Sequence, residues 1–127
     1  MNAALLMAVA AGGALGSLGR YLLSAALRAS APGFPWGTLA VNTLGGLAMG
    51  AITAYALSRP GALTEPLRLG LTTGVLGGFT TFSAFSIETL LLWRDGSATL
   101  AVANLAANLI FSLGACALGF WLARPLG

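Results

Sequence analysis

The sequence predicts an all-α integral membrane protein with four transmembrane helices, the third of which is broken near its middle. Two observations concern composition: 57% of the 127 residues are hydrophobic, and only 7% are charged. Because soluble domains average about 25% charged residues, this chain lacks the charged surface that water requires. The third observation is a run of glycine, threonine and serine inside one apolar segment, residues 74–89.

Four apolar segments are long enough to cross a membrane, which needs roughly 20 helical residues. They are 3–27, 36–57, 66–93 and 97–123. The stretches RASAPGFPWG, SRPGALTEP and RDGS separate them and have the composition of turns. The first segment lacks a basic n-region and is long for a signal-peptide core, so we expect it to be the retained first span. The whole chain, 1–127, is expected to form a single four-helix domain.

Glycine clusters within the first two spans indicate close helix packing. Gly12 and Gly16, and likewise Gly46 and Gly50, lie four residues apart. Such small-xxx-small pairs let helix backbones approach closely in lipid, where apolar burial gives little driving force for association.

The charged residues argue against nucleic acid as a partner, and they do not settle how the protein is oriented in the membrane. The net charge is +3, and the arginines are scattered without forming the basic patch that binds nucleic acid. Four spans place both termini on one side of the membrane. Each side then holds three arginines: Arg59, Arg68 and Arg124 against Arg20, Arg28 and Arg94. The positive-inside rule therefore leaves two interpretations, noise in a small sample and insertion in both orientations.

Polar side chains inside the predicted spans are candidates for function, because they are costly in lipid. The amide of Asn42, in the second span, could join two helices or donate to an anion without a fixed charge. Asn104, Asn108 and Ser112 follow one another at a spacing of four, which places them on one face of the fourth helix. We interpret this face as a polar track; helix–helix hydrogen bonding is the alternative.

The stretch GGFTTFSAF predicts the break in the third span. Gly77 and Gly78 weaken a helix by roughly 1 kcal/mol each relative to alanine, and neighbouring hydroxyl groups can bond the freed backbone. Irregular backbone survives in a membrane only where protein buries it or a wet cavity faces it, and unwound carbonyls coordinate Na⁺ elsewhere. Phe82 and Phe85 are spaced to share one face, and the electropositive edges of their rings could contact an anion. Ordinary packing is the alternative for these rings.

Three motifs occur in order along the chain: GGALGSLGRY, GTLAVNTLGG and GGFTTFSAFS. Together they resemble the Fluc (CrcB) family of fluoride channels over essentially the full length. The third motif departs from the usual Gly-Gly-x-Thr-Thr-Phe-Ser-Thr-Phe-Ser at Ala84, and Asn104 and Asn108 stand where some relatives carry tyrosine or serine. The resemblance implies an antiparallel, dual-topology homodimer in the bacterial inner membrane. It would export fluoride passively from the cytoplasm and hold a structural Na⁺ at the dimer interface.

The resemblance also implies the residues of the site. The backbone carbonyls of Gly77 and Thr80 from both subunits would hold the Na⁺. Neutral donors suit a strongly hydrated anion, because a fixed charge within the path would bind it too tightly for conduction. The implied fluoride pathway consists of Phe82, Phe85, Asn42, Ser83, Asn108, Ser112 and Arg20, with Arg20 at the aqueous mouth.

Two other functions stay open from the residues alone. A small multidrug-type, proton-coupled exporter also has four short spans, but it needs a carboxylate in its binding chamber. The one acid deep in a predicted span is Glu88, in the third, where it could instead pair with an arginine or a backbone donor. A membrane assembly subunit without transport would not require the glycine break beside hydroxyl groups and phenylalanines.

Overall fold

The computed structural model describes residues 2–125, and within them four helices are long and apolar enough to cross a membrane. They are α1, Ala3–Ser30; α2, Trp36–Ser58; a composite third span, Glu65–Arg94; and a last helix, Ala98–Ala123. The predicted all-α fold with four spans is confirmed. The largest difference in bounds is at the end of α1, which continues to Ser30 rather than stopping at residue 27.

The third span consists of four segments and is not one regular helix. They are α3, Glu65–Leu69; a π-helical segment, Gly70–Leu76; α4, Gly77–Phe79; and α5, Phe82–Arg94. The last helix is therefore α6. The predicted break is present, and a stretch of π-helix that the sequence did not indicate precedes it.

The break lets the third span change its packing partner. Its first half, from α3 through α4, packs against α1, whereas α5 packs against α6. The most extensive contact in the chain joins α2 to α6. The break therefore lies beside α2, at the point where the third span passes from one neighbour to the other.

Glycines at two helix crossings permit backbone contact. A Cβ added to Gly16 of α1 would clash with the carbonyl of Val75 in the π-helical segment. At the crossing of α2 and α6, a Cβ on Gly50 would clash with the Cys116 carbonyl, and one on Gly119 with the Leu47 carbonyl. This agrees with the close packing expected from the glycine pairs.

Candidate functional site

The interruption of the third span lies at Thr80 and Thr81, just after Gly77 and Gly78, the glycines predicted to weaken the helix. Gly77 and Gly78 belong to α4 and are helical, whereas Thr80 (φ −84°, ψ 158°) and Thr81 (φ −153°, ψ 121°) are extended. Glycine only lowers the cost of leaving a helix. The position of the break depends on where the backbone finds other hydrogen-bond partners.

Those partners are the side chains of Asn42 and Thr81. The Thr81 N–H donates to Asn42 Oδ1 at 2.8 Å, and Asn42 Nδ2 donates to the Thr81 carbonyl at 3.0 Å. Thr81 Oγ1 accepts from the N–H of Ala84 at 3.1 Å and so caps the start of α5. The extended residue is thus hydrogen-bonded on both sides, which makes a break tolerable inside a membrane.

Because of these bonds, two amide N–H groups do not donate to the backbone carbonyls that a regular helix would give them, those of Gly77 and Thr80. In an uninterrupted helix the Thr81 N–H would donate to the carbonyl of Gly77, and the Ala84 N–H to that of Thr80. Both amides donate to side-chain oxygens instead. The carbonyls of Gly77 and Thr80, the two implied Na⁺ ligands, are therefore among those that lose a helical donor at the break. Within the described residues, the carbonyls of Gly78 and Phe79 also receive no bond from the amide four positions later. Neutral carbonyl oxygens fit a hard monovalent cation.

A cavity of about 390 Å³ lies between α2, the break, α5 and α6. Its wall includes six of the residues implied by the family resemblance: Asn42, Thr80, Phe82, Phe85, Asn108 and Ser112. The structure thus brings together residues that are up to 70 positions apart, from Asn42 to Ser112. None of the described residues that line the cavity is charged.

Three of the implied residues lie outside this cavity wall. Ser83 is exposed in the first turn of α5, with its Oγ 3.3 Å from Thr81 Oγ1. Arg20 is half-buried on α1, and Gly77 is exposed. Their proposed roles depend on surfaces beyond the cavity, and those roles stay predictions.

The two phenylalanines at the cavity differ sharply in burial. Phe82 is 74% exposed, whereas Phe85 is 5% exposed. Their ring centroids lie 5.3 Å apart with an interplanar angle of 67°, an edge-on arrangement. Such a pair points the electropositive edge of one ring at the face of the other. Phe85 therefore has a fixed orientation in the core, while Phe82 forms an open rim.

The polar face of α6 is divided and is not one continuous track. Asn108 and Ser112 line the cavity, but Asn104 is 0% exposed and does not. Asn108 Nδ2 donates to the carbonyl and to Oδ1 of Asn104, at 3.1 and 2.9 Å, and Asn42 Nδ2 donates to Asn108 Oδ1 at 3.0 Å. The hydroxyl of Ser112 is buried and has no hydrogen-bond partner in the described part of the chain. The amides of Asn42 and Asn108 are thus occupied, whereas no bond among the described residues competes for the Ser112 hydroxyl.

A family model described as CrcB-like protein, Camphor Resistance (CrcB), matches residues 7–120. This chain belongs to the CrcB-like family. Its curated relatives include proteins named "Fluoride-specific ion channel FluC" from three bacteria. That of Chelativorans sp. (strain BNC1) is 47% identical over 122 residues, covering 95% of this chain and 97% of the relative. That of Agrobacterium fabrum is 44% identical over 119 residues (93% and 94%), and that of Geobacter sulfurreducens 47% over 117 residues (91% and 90%).

In this CrcB-like protein the deep acid lies apart from the large cavity. Glu88 Oε1 accepts from Thr38 Oγ1 at 2.9 Å, and Oε2 is buried without a hydrogen-bond partner among the described residues. Glu88 lines a separate pocket of about 40 Å³ with Thr38, Arg28 and Ser24. A space of that size admits about one water molecule and no organic substrate. The carboxylate chamber that a small multidrug-type exporter needs is therefore not the cavity found here.

Sequence reasoning missed two threonines that complete the polar contacts of this CrcB-like protein. Thr38 holds Glu88, and Thr89 accepts from Asn104 Nδ2 at 2.8 Å. Threonine is common in membrane helices, where its hydroxyl can bond the preceding turn, so its presence alone indicates nothing. Thr72 and Thr80 also donate to the carbonyl four residues back, as Thr89 does to that of Phe85, so the sequence held no signal that set Thr89 apart.

Proposed function

We propose that this CrcB-like protein is a fluoride-specific ion channel, and not an enzyme, through which fluoride leaves the cytoplasm passively. The observation that carries the proposal is the uncharged cavity at which Phe82, Phe85, Asn108 and Ser112 meet beside a helix break. An ion pathway must offset lost hydration without holding the ion so tightly that it cannot leave. Neutral donors and ring edges meet both conditions, and the names of the curated relatives agree.

The hydrogen bonds at the cavity suggest how fluoride would be bound and released. The Ser112 hydroxyl has no partner in residues 2–125, so it could donate to fluoride without giving up a bond, once a small movement exposes its buried oxygen. The amides of Asn42 and Asn108 already donate within the chain, so fluoride would have to displace one of those bonds to use them. Such an exchange keeps net binding weak, since each new bond to the ion replaces an existing one.

We further propose that an antiparallel second copy completes the pathway and that one Na⁺ lies between the copies. The carbonyls of Gly77 and Thr80 from both subunits would hold this ion, which would supply a fixed positive charge between the two breaks. The diverted donors of these carbonyls support the assignment, as does the exposed ring of Phe82, which a second copy could cover. The equal numbers of arginines on the two sides suit insertion in both orientations, in the bacterial inner membrane.

Fluoride efflux from liposomes tests the proposed function. The purified protein is reconstituted in fluoride-loaded liposomes, and release is followed with a fluoride electrode while a potassium ionophore compensates charge. We expect rapid, passive fluoride release that protein-free liposomes lack, and no chloride release from chloride-loaded liposomes followed with a chloride electrode. Absence of fluoride release, or release that occurs only with an imposed proton gradient, would exclude the channel. The second result would favour a coupled exporter instead.

A further inference from the structure

We infer that Asn104 and Thr89 are positioning residues of the ion pathway. Neither residue lines the cavity. Both belong to a chain of hydrogen bonds that all point in the same direction and that restrain the helical turn carrying Phe82 and Phe85. The inference rests on the proposed function, since it assigns these residues to the same site.

The chain of hydrogen bonds has four links that all run in the same sense. Asn42 Nδ2 donates to Asn108 Oδ1 at 3.0 Å, and Asn108 Nδ2 donates to Asn104 Oδ1 at 2.9 Å. Asn104 Nδ2 then donates to Thr89 Oγ1 at 2.8 Å, and Thr89 Oγ1 donates to the carbonyl of Phe85 at 2.7 Å. Each member accepts from the one before it and donates to the next.

Both ends of the chain fix its direction. At one end the Thr81 N–H can only donate, so the Asn42 atom that it meets is the oxygen, and the nitrogen faces Asn108. At the other end the Phe85 carbonyl can only accept, so it takes the single proton of the Thr89 hydroxyl. That hydroxyl must then accept from Asn104. All three amides are oriented, with no freedom to flip.

The two ends of the chain of hydrogen bonds also lie on either side of the helical turn that carries Phe82. The chain starts at Thr81, which caps α5, and ends at the carbonyl of Phe85, one turn later. Phe82 lies within this turn, and its ring contacts that of Phe85. Asn104 is completely buried, where hydrogen bonds are electrostatically stronger and reinforce one another along a chain. Losing the Thr89 link should therefore loosen the turn and leave the Asn104 amide free to shift, which changes the surroundings of the Asn108 amide that donates to it.

Thr89→Val and Thr89→Ser form the decisive pair of variants. Valine keeps the branched shape but can neither donate nor accept, whereas serine keeps the hydroxyl. We expect Thr89→Val to lower the maximal fluoride flux per folded protein by about tenfold, and Thr89→Ser to restore it to within about twofold of the wild type. A purely structural role would reduce the yield of folded protein but leave the flux of the folded fraction unchanged.

Ser86→Ala is the matched control. Ser86 lies on the same helix, and its Oγ donates to the Phe82 carbonyl at 2.8 Å, but its hydroxyl belongs to no link of the asparagine chain. If loss of any such hydroxyl slowed the flux, Ser86→Ala would equal Thr89→Val. We expect Ser86→Ala to stay within about twofold of the wild type, because the chain is intact. Equal losses would overturn the inference.

Side-chain amide NMR tests the chain without relying on flux. The protein contains four asparagines and no glutamine, so few such signals occur. We expect the Asn104 and Asn108 amide protons to exchange with solvent at least tenfold more slowly than those of the exposed Asn2. The Asn108 signal should shift in Thr89→Val but not in Thr89→Ser. Exchange as fast as that of Asn2 would overturn the inference even if neither variant folds.

The outcomes separate this inference from the proposed function. Wild-type fluoride flux together with unchanged flux in folded Thr89→Val overturns the positioning role and leaves the channel standing. If Thr89→Val cannot be purified, Asn104→Leu removes this link together with the one from Asn108 Nδ2, and must lower the flux per folded protein. Absence of wild-type flux defeats the proposed function, and with it the role of these residues in an ion pathway.

Discussion

Asn42 of α2 bonds both the N–H and the carbonyl of Thr81, at 2.8 and 3.0 Å, although the two residues lie 39 positions apart. One side chain thus takes the place of the neighbouring peptide groups that a helix would have supplied. The interruption of the third span therefore depends on a contact between spans as well as on the local sequence.

Replacing Asn42 by leucine should destabilise the protein markedly. Leucine has a similar branched shape but leaves the Thr81 N–H and the Asn108 Oδ1 without the partners that Asn42 supplies, at a cost of about 1–3 kcal/mol in the free energy of unfolding. Thermal unfolding of the purified protein in detergent, followed by tryptophan fluorescence, measures the loss. Thr43→Val is the control, because the adjacent Thr43 hydroxyl is buried without a partner in the described chain. An equal effect of both substitutions would contradict the role of Asn42.

Replacing either phenylalanine at the cavity by isoleucine should abolish fluoride flux while leaving the assembly intact. Isoleucine removes the electropositive ring edge that we expect to contact the ion. Stability should also respond at Phe85, whose ring is buried within the chain: Phe85→Ile lowers the free energy of unfolding by about 1 kcal/mol. Liposome efflux and thermal unfolding measure the two effects.

Phe111→Ile is the control for both ring substitutions, since Phe111 is exposed on α6 and does not line the cavity. It should keep full flux. Full flux in Phe82→Ile or Phe85→Ile would remove that ring from the ion pathway. Loss of flux in Phe111→Ile would instead indicate a general sensitivity of the protein to changes of aromatic residues.

Gly119→Ala should loosen the crossing of α2 and α6. The added Cβ would clash with the backbone carbonyl of Leu47, which cannot move without shifting the helix, and overpacking of this kind costs about 1–3 kcal/mol. Gly114→Ala, on the same helix, places its Cβ in open space and should gain up to about 1 kcal/mol from helix propensity. Opposite shifts in melting temperature are expected, and shifts of the same sign would contradict the backbone contact.

Removing Na⁺ should destabilise the assembly if the carbonyls of Gly77 and Thr80 hold this ion. A ligand that binds only the folded state contributes about 2.7 kcal/mol at a concentration 100 times its dissociation constant. We expect a lower melting temperature after purification in N-methylglucamine chloride, and recovery on addition of NaCl but not of further N-methylglucamine salt. To release an occluded ion, the protein is also unfolded and refolded without Na⁺. Unchanged stability after that step would remove the Na⁺ from the proposal.

The four spans followed from the sequence because the membrane imposes a simple rule. A helix that crosses lipid needs a long apolar run, and polar turns must interrupt such runs. The turn predicted from RDGS is present, with Gly96 at a φ of +82°. These features depend on residues close together in the chain, so reading along the chain was sufficient.

The polar face of α6 shows that the spacing of residues along a helix does not predict their partners. A spacing of four correctly placed Asn104, Asn108 and Ser112 along one helix, but it could not tell which neighbour each would meet. Asn104 lies beneath α5 and bonds Thr89, whereas Ser112 lines the cavity. Periodicity defines a face of a helix, and only the packing of other helices divides that face into buried and open parts.

The sequence by itself determined that this chain crosses a membrane four times and has a weak third span. It also supplied the motifs of the CrcB-like family. Only the tertiary structure decided where the span breaks, which carbonyls lose their donors and which amides are already hydrogen-bonded. The physical reason is that every backbone group in lipid must find a partner, and here the partner of Thr81 is a side chain from a different helix.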